Sequence, residues 1–153
     1  MPTHSETRVL PYTAEQMYDL VADVEKYPDF IPWTIATRIR SVEDKGDHRL
    51  MLADMVVGFR MFREKFLSRV VLKDAARKID TEYVDGPFKH LVSNWVFEEA
   101  EQGCRVHFHV DFEFKNRLLQ GAAGLFFMDA MQRIVRAYEA RAEALYGAGA
   151  ATA

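Results

Sequence analysis

The chain has too little cysteine for a covalent or metal framework: its 153 residues include one, Cys104. A single thiol can neither close an internal disulfide nor build a cysteine-rich metal site, and this usage fits a reducing compartment. Long apolar runs are also missing. The most apolar stretch, Leu118 to Met131, is broken by Gln120 and Asp129 and falls short of the roughly 20 residues that cross a bilayer. The opening MPTHSETRVL has no apolar segment behind a basic end, so no signal peptide is expected. Neither charge sign dominates, with 20 Lys and Arg against 23 Asp and Glu; no overall field favours a polyanion, and DNA is not an expected partner. P-loop, dinucleotide-binding glycine fingerprint, G-x-S-x-G elbow and H-E-x-x-H do not occur. Disorder is excluded by 49% hydrophobic content. The expectation is one soluble, cytoplasmic domain over 1–146, with a small-residue tail at 147–153 that frays.

Periodicity supplies the elements. Thr13-Ala14-Glu15-Gln16 has capping-box spacing, and Met17, Leu20, Val21 and Val24 follow along one helical face. Pro28 and Pro32 then forbid a regular helix in the apolar connection KYPDFIPW. From Trp33 to Lys115 the period is two, broken near 44–47, Gly58, 73–76, 85–87 and 101–103, which accommodates six strands; His4 to Val9 supplies a seventh. In the last strand Cys104, Val106, Phe108, Val110, Phe112 and Phe114 share the inner face, with Arg105, His107, His109 and Asp111 on the other. From Asn116 the pattern is helical, with a stripe through Leu119, Ala123, Phe126, Ala130, Ile134, Tyr138, Ala142 and Leu145. Gly121 and Gly124 bend this helix or allow close backbone approach. The fold class is α+β: a curved antiparallel sheet wrapped around a long C-terminal helix, a geometry that leaves a cavity between them.

Few side chains offer chemistry. Alternation puts Glu64 on the inner face with Phe62 and Phe66, as a polar anchor for a ligand, a structural ion pair or an acid reaching water. His107 and His109 have His-x-His spacing, but their solvent face and the lack of a further ligand argue against zinc. Cys104 reads as a core residue. Arg63, Lys65, Arg69 and Lys73, with Arg38 and Arg40, form a basic stripe that either meets RNA or anionic lipid, or is a solvated face. Three apolar clusters are placed in connections: Phe30, Ile31 and Trp33; Met55, Val56, Val57 and Phe59; and Phe88. They gate a pocket or touch a membrane, or fold back as core lids.

The segments MYDLVADVEKYPDFIPW, FREKFLSRV, DGPFKHLVSNWVF and CRVHFHVDFEFKNRLL resemble the coenzyme Q-binding START-like family, relatives of the polyketide cyclase/dehydrase group that also include the ribosome association toxin. The resemblance spans Met17 to Ala142. It implies a helix-grip fold, a seven-stranded sheet around the last helix, and a hydrophobic tunnel for ubiquinone or another polyprenyl lipid, without catalysis or cofactor. Carried over by position, the tunnel involves Trp33, Phe62, Glu64, Phe66, Trp95, Phe108 and Phe112, with Phe126, Ala130 and Ile134 from the helix. Thr34 departs from the family, where a cysteine often follows the tryptophan. The implied role is delivery of quinone for respiration, with transient contact at the inner-membrane surface. The alternatives are binding to a ribosomal subunit, or a cyclase using Glu64 or His90 as acid and base.

Overall fold

Gln16 N donates to the Thr13 hydroxyl at 3.0 Å and Thr13 N donates to Gln16 Oε1 at 2.9 Å, so the capping box is formed and opens helix α1, Ala14–Ala22. The computed structural model describes residues 3–59 and 62–147; within that span the side chains of Phe59, Phe62, Leu119, Ala123 and Phe126, on which sequence expectations fell, lie outside the described residues. Helix α1 buries Met17, Tyr18, Leu20 and Val21. The same apolar face continues through Val24 and Tyr27 in a 3₁₀ segment, Val24–Asp29, which contains Pro28.

Seven strands follow the expected alternation: β1 Thr3–Leu10, β2 Thr34–Asp44, β3 Arg49–Phe59, β4 Phe62–Lys73, β5 Lys78–Asp85, β6 Phe88–Ala100 and β7 Gly103–Phe114. They form one curved antiparallel sheet in the order β1-β7-β6-β5-β4-β3-β2. Helix α2, Arg117–Tyr146, has 30 residues, about 45 Å at 1.5 Å per residue. Short connections favour antiparallel neighbours, whereas β1 reaches the far side of β7, with Leu10 opposite Cys104.

Two expectations are corrected and a third is narrowed. Strand β3 does not break at Gly58 but runs to Phe59, so Met55, Val56 and Val57 lie in a strand rather than a connection. The α2 stripe turns away from the core at its end: Leu145 is 50% exposed, whereas Met131 and Val135 are buried beside Tyr138 and Ala142. Steps of four advance about 400° at 3.6 residues per turn, which sets Ala130 and Ile134 to one side of the Met131, Val135, Tyr138 and Ala142 row. Leu145 comes back to within about 20° of Tyr138 but stands in the last turn of α2, one residue before its end at Tyr146. At Gly121 and Gly124 nothing lies within 4 Å of the point where a Cβ would stand, so neither marks a close approach.

Gly103 does mark one. At its φ of +148° a Cβ would stand 1.9 Å from the carbonyl oxygen of Leu10, where β1 closes against β7. Gly103→Ala is therefore expected to destabilise the fold by about 2 kcal/mol or more, through backbone strain and displacement of β1. Urea denaturation of the variant checks this; a change below about 0.5 kcal/mol would show that β1 yields freely.

Candidate functional site

Alternation on β4 to β7 brings one row of each strand to the concave face, and α2 crosses that face. Between them lies a cavity of about 190 Å³, bordered by Met55, Phe66, Val70, Leu91, Trp95 and Phe108 from the sheet, Met131, Ile134 and Tyr138 from α2, and Val24 and Tyr27 from the 3₁₀ segment. Ser68, Thr81 and Ser93 are also on its border, which among the described residues contains no Asp, Glu, Lys, Arg or His. Trp95 forms a wall, its ring 4.3 Å from Phe108 and 5.0 Å from Tyr138 between centroids. Tyr27 stands edge-on to Tyr138 at 5.9 Å, donates its hydroxyl to Val21 O and shares a second hydrogen bond with Tyr138. Burial pushes Tyr27 up to about 12 and Tyr138 well above the ordinary phenol value, so both remain neutral.

Of the residues singled out in the sequence, Phe66, Trp95, Phe108 and Ile134 border this cavity, whereas Trp33, Glu64, Phe112 and Ala130 do not. Glu64 lies opposite Val57, one inner position beyond Phe66, and is half-buried. Trp33 is at the same end, its carbonyl accepting from Gly58 N at 2.9 Å and its backbone left-handed at φ 66°. Phe112 packs beside Leu91 and Met131. Ser68, Thr81, Ser93, Met131 and Tyr138 were not singled out as site residues. The alternating pattern puts Ser68 on the inner face, but only the register with neighbouring strands sets it diagonal to Thr81, which in turn faces Ser93.

The apolar clusters divide. Phe30 and Ile31 fold back onto the core, with Phe30 edge-on to Tyr138 at 5.5 Å and Arg141 over its ring at 5.2 Å. Phe88 is buried at the centre of an aromatic group, 5.1 Å from Phe66, 5.5 Å from Tyr83 and 4.6 Å from Phe114. These are core lids. Cys104 is fully buried and desolvation pushes its thiol up to about 11, the reverse of an activated nucleophile.

The convex face is lined with charges, whereas on the inner face Glu64 and the His4, Glu6 and Arg8 row of β1 lie outside the border of this cavity. Ser5 Oγ lies 2.6 Å from His109 Nδ1, His107 pairs with Glu98, and His90 Nε2 is 3.3 Å from Asp111 across the sheet from the cavity. Among the described residues no three His, Cys, Asp or Glu side chains are placed to hold a metal. Much of the basic stripe is paired: Arg69 with Glu82 at 2.5 Å, Lys73 with Asp80 at 3.1 Å and Arg40 with Asp54 at 2.7 Å. Arg38, Arg63 and Lys65 remain at the surface.

Comparison with known proteins adds the following. The family model described as polyketide cyclase / dehydrase and lipid transport matches residues 10–139. The chain is 38% identical to the ribosome association toxin RatA of Escherichia coli K12, over 97% of this chain and 91% of that protein. It is 35% identical to the mitochondrial coenzyme Q-binding protein COQ10 homolog B of Xenopus laevis, over 94% of this chain and 59% of that protein. The solution structure of the 18 kDa protein CC1736 from Caulobacter crescentus superposes with a TM-score of 0.80 at 38% identity, covering 97% and 100% of the two chains.

One charged group on the convex face is 4% exposed: Asp54, held below the usual carboxylate range by the hydrogen bond from Arg40, against desolvation and with attraction from Lys65 and Arg38. Arg40→Met is expected to cost about 1–3 kcal/mol at pH 7, because it strips the partner from a buried carboxylate. A lowered folded pKa contributes stability that is complete above the unfolded value of about 3.9 and is lost as pH falls through the folded one. The gap between wild type and variant should therefore close in acid, as urea melts from neutral pH downward would record. A pH-independent gap would assign the loss to packing of the arginine stem.

Proposed function

We propose, from the premise that this chain belongs to the polyketide cyclase / dehydrase and lipid transport family, that it binds a neutral apolar lipid, ubiquinone foremost, beneath α2 and carries it without transforming it. The observation that supports this reading most is the cavity border, which among the described residues is apolar apart from hydroxyls and free of Asp, Glu, Lys, Arg and His. Polyprenyl chains gain about 0.8 kcal/mol per buried methylene, so such a wall supplies affinity without any charged group. The similarity to a coenzyme Q-binding protein accords with it. At about 190 Å³ the cavity is smaller than the roughly 300–1,000 Å³ of ordinary ligand pockets, so it takes a ring-sized portion and the tail extends beyond it. Trp33, Glu64, Phe112 and Ala130 belong, in this proposal, to the path of the tail.

A second reading, binding to a ribosomal subunit, is favoured by the 38% identity to RatA and would use the convex face, where Arg38, Arg63 and Lys65 reach the surface. The two use opposite faces of the sheet and are separable. Ile134→Trp fills the cavity at a cost of about 1–3 kcal/mol and is expected to lower quinone binding at least tenfold while leaving cosedimentation with ribosomal subunits unchanged. Mass spectrometry of lipid extracted from the natively purified wild type identifies the ligand. Extracts without an isoprenoid lipid, together with undiminished quinone binding by Ile134→Trp, would sink the lipid reading.

A further inference from the structure

Ser68 is fully buried on the inner face of β4, borders the cavity, and its Oγ has no hydrogen-bond partner among the described residues. Buried hydroxyls are ordinarily satisfied, because losing water without gaining a partner destabilises the fold. The other hydroxyls nearby do not relieve it: Tyr27 is committed to Val21 O and to Tyr138. Tyr83, the register partner of Ser68 on β5, is half-buried, and its hydroxyl is itself buried and unpartnered among the described residues. Thr81 lies opposite Val70, and Ser93 opposite Thr81, so three adjacent strands each present a hydroxyl residue to the cavity. Residues directly opposite have Cβ atoms about 5 Å apart and diagonal ones about 7–8 Å, close enough for one ring to span the spot.

Resting on the lipid reading above, we propose that Ser68 is the head-group anchor of the cavity: the lipid sits polar ring inward, with a neutral carbonyl or hydroxyl oxygen hydrogen-bonded to Ser68 Oγ, and its tail trails toward Glu64 and Trp33. A serine hydroxyl both donates and accepts, so it serves a quinone and a quinol alike. With no cation among the described residues of the cavity border, an ionised carboxylate or phosphate head would be desolvated without compensation from them. The ligand class is therefore a neutral oxygenated isoprenoid, not a fatty acid or phospholipid. This moves the head-group anchor away from Glu64, which lies outside the cavity border.

The test compares ubiquinone-2, squalene and oleate on the full chain, wild type and variants, with ¹³C-carbonyl infrared spectra of the bound quinone. Wild type should bind ubiquinone-2 with a downshifted carbonyl stretch, bind squalene, and bind oleate at least tenfold more weakly. Ser68→Ala should weaken ubiquinone-2 by about 5- to 15-fold, the worth of one hydrogen bond, remove the downshift, leave squalene within twofold, and melt no lower than wild type. Ser68→Thr should retain the downshift and Glu64→Gln should leave it unchanged. An unshifted carbonyl in wild type, undiminished quinone affinity in Ser68→Ala, or equal loss of squalene and quinone in that variant overturns the anchor while the lipid reading stands. Oleate binding as tight as quinone overturns the neutral head group. Wild type that binds neither isoprenoid overturns the lipid reading itself, and the anchor with it.

Discussion

Tyr138 is the point on which α2 rests. Its ring meets Tyr27 at 5.9 Å, Phe30 at 5.5 Å and Trp95 at 5.0 Å, nearly edge-on to the first two. Each such pair adds about 0.5–1.5 kcal/mol beyond its area burial, and together they join α2, the 3₁₀ segment and the sheet in one contact. The phenol can be buried because its hydroxyl bonds to Tyr27, whose own hydroxyl reaches Val21 O at the end of α1. Closely packed on the C-terminal side of this contact, where Ala142 is fully buried, the interior is looser around Met131 and Ile134, which border the cavity.

Polarity is divided just as sharply. Salt bridges on the convex face link neighbouring strands, as Arg69 on β4 with Glu82 on β5, and surface pairs of this kind add little stability each. At the seam between β1 and α2, Glu6 accepts from Arg8, which also reaches Glu139 at 2.5 Å, while His4 lies 2.9 Å from Glu6. Those charges satisfy one another beside α2, and the described residues of the cavity border are apolar or carry hydroxyls. An interior of this kind favours oxygenated but uncharged molecules by exclusion as much as by attraction.

The strands were legible because alternation is a local signal. Cys104 and Val106 inward with Arg105 outward can be read from adjacent residues, and the structure places them so. The capping box at Thr13 was equally local. The buried face of α2 was less so: Ala130, Ile134 and Tyr138 form a row, but whether Met131 or Leu145 joins it depends on where the helix meets the sheet. A glycine at 58 suggests a break, yet pairing with β4 continues through Gly58 to Phe59, and Gly58 N also donates to Trp33 O just before β2. Alternation also put Glu64 inward, without showing that the cavity border stops at Phe66. The unpartnered state of Ser68 is a property of its neighbours on other strands, and no sequence window contains them.

The sheet is open, and β2 is one of its two free margins. A long flat margin of this kind would template the strands of other chains. Strand β2 is neither flat nor regular: its pairing with β3 shifts between Thr34 and Ala36 and again between Ile39 and Ser41, and the Thr37 hydroxyl donates to Val24 O at 3.1 Å. Bulges increase local twist and bend a strand, so the irregularities that spoil β2 as a template also accompany its docking beneath the 3₁₀ segment. One irregular strand thus both presents a poor template at the sheet margin and holds, through Thr37, the 3₁₀ segment whose Val24 and Tyr27 border the cavity.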